Sequence, residues 1–247
     1  MAGIRVTVPS TSLETRQKVR WRVPAGVDPA GWEGAWFLGS AAGYSQVNRI
    51  EGKPDALVVG DPVESAHYLS IKSYVNYLET QTLEPTAGTF AAICRSSDTL
   101  VDNAHRPVWI GNFKGTTSGG ANLFTGGANS NMNAQSVDGS DNRDLAAAQV
   151  AVTAATWKLL IGTFDNDAVK IYNMTTGASG STNLLSGYDR WTPITTMRIG
   201  SGANDTFQGI GDIAFAGILS RVMSSADERT ALYNYLKTYY AARGIAI

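Results

Sequence analysis

Short apolar segments separated by turn-forming residues recur along the chain, and this pattern limits the fold more than any other feature of the sequence. The segments either alternate apolar with polar positions or are rich in β-branched residues, and Gly, Asn, Asp, Ser and Thr lie between them. They read IRVTV, ALVV, HYLSI, TFAAIC, PVWIGNF, AQVAVTA, WKLLIGTF, AVKIYNM, TTMRIG and GDIAFAGIL. This spacing predicts an all-β sandwich or barrel.

The composition fits a large globular domain. The chain has 247 residues, of which 43% are hydrophobic and 17% are charged, and its formal net charge is -1. All-β sandwiches of this length occur as single domains, so we expect one domain with an N-terminal extension. The hydrophobic content argues against disorder, and the near-neutral charge argues against nucleic acid or a membrane surface as a partner.

Two further features bear on reactivity and location. Cys94 is the single cysteine and lies in the apolar run TFAAICR, so we expect a buried core residue rather than a nucleophile. The first residues contain no apolar stretch of signal-peptide length, and no later segment resembles a membrane span. We therefore expect a product made in the cytoplasm.

Glycine is concentrated in one part of the chain. Five of the 26 glycines lie in the 20-residue segment KGTTSGGANLFTGGANSNMN, residues 114–133. Glycine permits positive φ angles and close backbone approach, so this segment is either a flexible loop or a flat ligand surface.

The clearest hairpin is WKLLIGTFDNDAVKIYNMTTG. Its predicted strands, Trp157 to Phe164 and Ala168 to Tyr172, flank the triplet Asp165-Asn166-Asp167. These three residues tolerate left-handed conformations and hydrogen-bond their own backbone, which predicts a turn. A calcium site is the alternative, but it needs six to eight oxygen ligands and the triplet supplies few of them.

The N-terminal residues differ from the rest in composition. Four arginines and a lysine precede Val23, and the segment VPAGVDPAGWEG that follows is broken by proline and glycine. We therefore divide the chain into an arm or linker, residues 1–34, and a sandwich domain, residues 35–247. The alternative for the arm is a first strand that closes the sandwich.

The chain ends in one amphipathic helix. Ser225 and Glu228 form an S-x-x-E capping box, and Gly244 is placed to end the helix in a left-handed conformation, with Ile245 touching Tyr240. Between these ends, one face carries Leu232, Tyr235, Leu236, Tyr239 and Tyr240. That face predicts a helix packed on the sheet that precedes it.

The same region carries a family resemblance. FQGIGDIAFAGILSRVMSSADERTALYNYLKTYYAARGI resembles the C-terminal signature of concanavalin A-like, LamG-type jelly-roll domains, with an Asp-Ile-Ala strand, an Arg before a Ser-rich cap and a Tyr-rich helix closing on Gly-Ile. SAHYLSI, GTFAAICR, the hairpin and TTMRIGSG follow the order of that family's strands. The resemblance covers roughly Ala35 to Ile247, and the cap segment RVMSSADER is a residue longer than the usual pattern. It implies a concanavalin A-like jelly roll of two antiparallel sheets with a short C-terminal helix.

The residues that would support catalysis are sparse. Glycosidases need a carboxylic acid and a carboxylate on either side of the scissile glycosidic bond. No E-x-D-x-E pattern occurs in this sequence. Glu79 and Glu84 are five residues apart, which places them on opposite faces of an extended strand. The only histidines, His67 and His105, have no nucleophile elbow nearby. We expect no enzyme, no cofactor and no metal, with glycoside hydrolysis by acids from different strands as the weaker alternative.

Sugar binding is the stronger candidate, because loops on a rigid sandwich can combine aromatic rings with Asp and Asn side chains. The segment SGYDRWTP groups Tyr188, Asp189 and Trp191, and DGSDNRD adds Asp141 and Asn142. The alternatives are that Trp191 packs on the core and that Asp141 and Asn142 form an ordinary turn.

The setting is inferred from the resemblance. LamG-like domains work mostly outside cells, so a chain without an export signal suggests a non-enzymatic bacteriophage tail or virion protein that reaches the outside by lysis. Its expected partners are other virion proteins, a cell-surface carbohydrate and further copies of itself, a trimer among the candidates. A stand-alone carbohydrate-binding module is the rival hypothesis.

Overall fold

The computed structural model describes residues 21–40, 42–115 and 118–247. These residues form strands and two α-helices, α1 and α2, with a 3-10 helix at Asn103–His105. In chain order the elements are β1 (Trp32–Phe37), α1 (Ala42–Ser45), β2 (Leu57–Val59), β3 (Val63–Glu64), β4 (Leu69–Lys72), β5 (Tyr77–Leu83), β6 (Gly88–Ser96), β7 (Val108–Gly111), β8 (Ala121–Gly126), β9 (Asn129–Asp138), β10 (Arg143–Ala151), β11 (Lys158–Phe164), β12 (Ala168–Asn173), β13 (Ala178–Asn183), β14 (Tyr188–Arg190), β15 (Thr196–Ile199), β16 (Ile210–Leu219) and α2 (Ala226–Ala241).

Within the described ranges, the strands form two eight-stranded antiparallel sheets. Sheet A has the order β13-β12-β11-β6-β16-β4-β3, and β1 pairs with β16. Sheet B has the order β10-β9-β8-β7-β15-β5-β2, and β14 pairs with β9. Neighbours in the sheets are often distant in sequence, which is typical of a jelly roll rather than a meander. The predicted all-β jelly-roll sandwich of two antiparallel sheets with a short C-terminal helix is confirmed.

The two central strands of sheet A are covered on both faces. Along β6, Phe90 and Cys94 belong to the core between the sheets, whereas Ile93 belongs to a second apolar cluster that includes α2. β16 divides its side chains in the same way. Strands buried on both faces read as continuous apolar runs instead of alternating ones, as TFAAIC and IAFAGIL do.

Helix α2 fills the outer face of sheet A as predicted. Leu232 and Leu236 are fully buried, and the Tyr240 hydroxyl donates to the Ala214 carbonyl at 2.5 Å. At the end of the helix, Gly244 has φ +75° and the Ile245 amide donates to the Tyr240 carbonyl at 3.1 Å, which is the expected Schellman arrangement.

The start of α2 departs in part from the predicted capping box. The Ser225 hydroxyl accepts from the Glu228 amide at 3.3 Å, as expected. The Glu228 carboxylate accepts instead from Arg221 and from the Asp28 amide. The Glu228 carboxylate therefore links the start of α2 to Asp28, which lies in the segment before β1.

Residues 21–34 pack on the sandwich. The Trp21 ring lies 4.7 Å from that of Trp32 and 5.8 Å from that of Phe37, and Val27 is buried. β1 begins three residues before Ala35, at Trp32. Residues 1–20, including the segment IRVTV, lie outside the described residues, so the division into arm and domain stays a prediction.

The described part of the glycine-rich segment is largely regular structure. Its second half forms the hairpin of β8 and β9, in which Gly126 pairs with Asn129. The hairpin of β11 and β12 is also as predicted, and the Asp165 carboxylate accepts from the Asp167 and Ala168 amides, as a turn requires. No helix in the described part of the chain is long and apolar enough to cross a membrane.

Candidate functional site

The two segments that the sequence singles out for sugar binding lie side by side. β14 pairs with the end of β9, with Tyr188 opposite Asp138 and Asp189 opposite Val137. Asp138 opens the turn that joins β9 to β10, so this pairing brings residues 188–191 next to residues 138–143. The candidate site therefore lies at one end of sheet B.

The β9–β10 turn is organised by Asp138. Its carboxylate accepts from the Ser140 and Asn142 amides and from the Asn142 side chain, each at 2.8 Å. These hydrogen bonds stabilise the ionised carboxylate and so lower the pKa of Asp138. The bond from the Asn142 side chain has the largest effect. Asn142 thus serves the turn, in agreement with the ordinary turn explanation. Asp141 is exposed and has a φ of +63°.

A row of side chains crosses three strands at this end. Asp189 lies opposite Val137, and Val137 lies opposite Arg143, so the three share one face of sheet B. Trp191 is two residues beyond Asp189 and stays in register, because its amide donates to the Gln135 carbonyl at 3.0 Å. This is the outer face, turned away from the sandwich core.

The Trp191 ring and the Arg143 guanidinium form a stacked pair. The guanidinium carbon lies 4.2 Å from the ring centroid, and the Asp141 carboxylate lies 3.4 Å from the same guanidinium. Trp191 is half-buried and Asp189 is exposed. We call Asp141, Arg143, Asp189 and Trp191 the Trp191 patch. It combines an aromatic ring with polar groups of both charges, which suits recognition of hydroxyl-rich ligands.

Tyr188 is separated from this patch. Successive residues of a strand point to opposite faces, so Tyr188 and Arg190 face away from Asp189 and Trp191. The sequence predicts a loop here, and a loop would have allowed all of these side chains to converge. The segment is a short strand instead, and its alternation divides the group.

Arg190 anchors β14 from the inner side. Its guanidinium donates to the Glu84 carboxylate and to the Gln135 carbonyl and lies 5.0 Å from the Phe164 ring centroid. Burial raises the pKa of Glu84 to about 7, although Arg190 and Asn112 favour the ionised form. Because Arg190 stands between Asp189 and Trp191 in sequence, this anchor fixes the backbone that presents them.

A column of amide side chains continues from the patch along β9. Asn129, Asn131, Asn133 and Gln135 occupy alternate positions and therefore share the outer face with Trp191. The sequence analysis missed this column, although the signal is visible as N-x-N-x-N-x-Q in NSNMNAQ.

Two members of the column have partners and two do not. The Asn129 amide donates to Gln149 at 3.2 Å, and the Gln135 side chain accepts from the Gly119 amide at 2.9 Å. The Oδ1 atoms of Asn131 and Asn133 are buried and have no hydrogen-bond partner among the described residues.

The other groups considered for catalysis are engaged elsewhere. Glu79 accepts from Arg198 at 3.1 Å on the outer face, whereas Glu84 is buried, so the two carboxylates do not flank a common space. The His105 Nδ1 atom lies 2.7 Å from the Asp102 carboxylate, which stands directly before the 3-10 helix. Cys94 is buried and its pKa is raised to about 12 by desolvation, which leaves the thiol unreactive. Among the described residues no cluster of His, Cys, Asp and Glu could hold a metal ion.

A separate cleft opens near the end of α2. It has a volume of about 330 Å³ and is lined by Phe37, His67, Tyr239 and Arg243 among others. Arg243 stacks on Tyr239 at 3.6 Å and donates to its carbonyl at 2.7 Å, so this arginine is part of the helix end. None of the residues singled out for sugar binding lies in this cleft.

Comparison with known proteins supports the fold. No protein-family model and no curated protein matches the chain. Among solved structures it is similar to the receptor-binding domain of botulinum neurotoxin C/D mosaic serotype, with a TM-score of 0.60 and 10% identity over 84% of this chain and 52% of that one.

Two further solved structures are similar to the chain to about the same degree. The binding domain of botulinum neurotoxin DC in complex with SialylT has a TM-score of 0.59 at 9% identity, over 83% of this chain and 51% of that chain. The serotype G binding domain has a TM-score of 0.57 at 11% identity, over 82% and 51%. The chain thus spans about half the length of these structural neighbours, and identities this low show a shared sandwich fold alone.

Proposed function

We propose that this protein is a carbohydrate-binding domain that uses the Trp191 patch. The observation that carries the proposal is the meeting of two separate segments, in which Trp191 and Asp189 lie on the same outer face as Arg143 at the end of sheet B. Aromatic rings contact the C–H faces of sugars, and carboxylates and guanidinium groups hydrogen-bond hydroxyls, so these side chains have the required chemistry.

The structural neighbours add support from outside the chain. One of them is a binding domain in complex with SialylT, and others are receptor-binding domains. The fold is therefore one on which binding to a receptor occurs, but the site on this chain is argued from its own residues.

A glycan array tests the proposal. We expect the wild-type protein to bind a subset of printed neutral and sialylated glycans, and Trp191→Ala to lose that binding. Trp157→Ala is the matched control, because Trp157 is also half-buried under an arginine, Arg95, at 4.7 Å, but lies directly before β11 of sheet A. An array on which the wild type binds nothing, or on which both variants bind like the wild type, would contradict the proposal.

We propose that binding takes place without catalysis. The acids considered for hydrolysis accept from arginines, Glu79 from Arg198 and Glu84 from Arg190. The buried Asp212 carboxylate on β16 likewise accepts from Arg95. Incubation with a broad polysaccharide panel is expected to release no reducing ends. Reproducible release that is lost in Glu79→Gln or Asp212→Asn would favour a glycoside hydrolase instead.

The setting proposed from the sequence is a phage virion, in which the domain serves structure and adhesion. This part rests on the resemblance of the C-terminal segment to LamG-type domains and on the basic arm, and it extends to virion partners and a homo-oligomer. Immunogold electron microscopy of phage particles induced from the organism that carries the gene is expected to label the tail or its fibres. Label confined to the cells would instead favour a stand-alone carbohydrate-binding module.

A further inference from the structure

We propose that the cleft near the end of α2 is a second binding site, which takes a small phosphate monoester whose phosphate is attached to a sugar or nucleoside. Phe37 and Tyr239 line the cleft and pack on the apolar cluster between sheet A and α2, whereas the Trp191 patch lies on sheet B. The inference is therefore independent of the proposed sugar-binding site and goes beyond it.

The end of β1 contacts both walls of the cleft. The Phe37 ring lies 5.0 Å from the Tyr239 ring in the last turns of α2. Two residues after Phe37, Gly39 has φ +121°, and a methyl group there would lie 2.5 Å from the amide nitrogen of Tyr68. This close approach holds the segment at His67 against the end of β1. The cleft of about 330 Å³ lies beside these contacts.

Three polar side chains that line the cleft have hydrogen-bonding capacity left. The Arg243 Nη1 atom donates to the Tyr239 carbonyl at 2.7 Å, but its Nε and Nη2 atoms make no hydrogen bond to a described residue. The Tyr239 hydroxyl and the His67 imidazole also have no hydrogen-bond partner in the described part of the chain. All three residues are half-buried rather than enclosed, so a ligand can reach them from solvent.

The charges around the cleft favour an anion. Arg49, His67 and Arg243 line it, and no Asp or Glu is among the described residues that do so. A guanidinium group stays charged and matches the geometry of phosphate and carboxylate oxygens. A phosphate monoester carries a charge of about −1.5 to −2 at neutral pH, more than a carboxylate does. Two arginines at one cleft therefore favour the phosphate.

The aromatic side chains and the size of the cleft indicate what the phosphate is attached to. Phe37, Tyr44 and Tyr239 line the cleft, and Tyr44 is 51% exposed. Such rings contact the flat faces of sugars and bases. The volume is at the small end of the range for small-molecule sites, about 300–1,000 Å³. The cleft therefore suits a ring with its phosphate rather than an oligosaccharide or a peptide.

Titration calorimetry of the full chain in a phosphate-free buffer tests the ligand class. The probes are glucose 6-phosphate and adenosine monophosphate, each compared with its parts, which are inorganic phosphate and glucose or adenosine. We expect at least one ester to bind more tightly than either of its parts, and the tighter ester identifies the source of the phosphate. Equal affinity for inorganic phosphate and both esters would overturn the role of the rings. Tighter binding of glucuronic acid than of glucose 6-phosphate would overturn the assignment to phosphate.

Variants on α2 test the position of the site. Arg243→Gln is expected to weaken the binding of the preferred ester about tenfold or more, and Tyr239→Phe about threefold or more, as hydrogen bonds to a charged group are lost. The matched controls are Lys237→Gln and Tyr235→Phe, on the same helix but outside the cleft, with changes below about twofold. Tyr239→Phe keeps the ring and its packing, so it tests the site even if Arg243→Gln disturbs the end of the helix.

The outcomes separate this inference from the proposed function. If no ester binds the wild type, or if both cleft variants bind the preferred ester like the wild type, this inference fails, while the glycan array decides the proposed function. Trp191→Ala is expected to bind the esters with wild-type affinity. Loss of ester binding in Trp191→Ala would move the ligand to the Trp191 patch and overturn the cleft as its site.

Discussion

The guanidinium of Arg190 meets the carboxylate of Glu84 inside the protein, and neither side chain is exposed to solvent. The pair joins the residue after β5 to the last residue of β14, so it holds the candidate site in place from beneath. Asn166 adds to this anchor, because its side-chain oxygen accepts from the Arg190 amide at 2.9 Å.

Replacing Arg190 is expected to cost about 3–5 kcal/mol of unfolding free energy, because a buried charged pair loses one partner. Arg190→Ala also removes the bond to the Gln135 carbonyl and the contact with Phe164. Urea denaturation measures the cost. Arg143→Ala is the control, since its pairing with Asp141 lies at the surface and should contribute about 1 kcal/mol or less. Equal midpoints for the two variants would show that the buried pair is not an anchor.

The stability of the protein is expected to depend on pH through Glu84. Burial raises the pKa of this carboxyl from 4.5 to about 7 in the folded protein, so the folded state holds the proton more tightly than the unfolded state. The resulting stabilisation is fully present below pH 4.5 and is lost as the pH rises to about 7.

Glu84→Gln isolates this effect, because glutamine resembles the protonated acid and does not titrate. Between pH 5 and 7.5 the variant should gain roughly 1–3 kcal/mol relative to the wild type. Urea midpoints at several pH values give the difference. A difference that is constant with pH would mean that Glu84 has an ordinary pKa.

Leu236→Ala is expected to destabilise the protein by about 2–4 kcal/mol, because it opens a cavity between α2 and sheet A. Leu236 is fully buried in the helix cluster, and its neighbour Lys237 is exposed. Lys237→Ala should therefore change stability by less than about 0.5 kcal/mol. An unchanged urea midpoint for Leu236→Ala would make the helix peripheral.

Gly244→Ala is expected to cost about 1 kcal/mol, because alanine resists the left-handed conformation in which this residue ends α2. No atom of the residues that the structure describes lies within 4 Å of the added methyl group, so the cost is conformational. Gly139 has equally open surroundings without a positive φ, and Gly139→Ala should be neutral or slightly stabilising. Thermal unfolding measures the stability of both variants. An equal loss of stability in Gly139→Ala and Gly244→Ala would contradict a cost that arises from the left-handed conformation.

Two truncations distinguish the arm from the packed segment that follows it. Removing residues 1–20 keeps Trp21 and its contacts with Trp32 and Phe37, so near-UV circular dichroism should stay native. If the arm acts in assembly, light scattering should show a fall from oligomer to monomer. Removing residues 1–31 should cost about 2 kcal/mol or more, because Trp21 and the buried Val27 are lost. Unfolding of the shorter truncation would make residues 1–20 part of the core.

Features with local causes could be predicted well. The turn at Asp165 and the end of α2 at Gly244 depend on interactions within a few residues, and both are as the sequence indicates. The burial of Cys94 followed from its apolar neighbours. In the candidate site, the sequence analysis selected Asp189 and Trp191, and both side chains lie on one face of sheet B. Nothing in the sequence indicated that Arg143 would cover the Trp191 ring.

The sequence by itself determined the strand-rich architecture and the capped amphipathic helix, because periodicity and turn chemistry act over short distances. The tertiary structure decided which face each residue occupies and which distant segments meet. Pairing of β14 with β9 separated Tyr188 from Trp191, brought Asp189 into a row with Arg143, and buried Arg190 against Glu84. These relations depend on strand register, in which a shift of one residue moves every side chain to the other face, and register is set by packing between segments far apart in sequence.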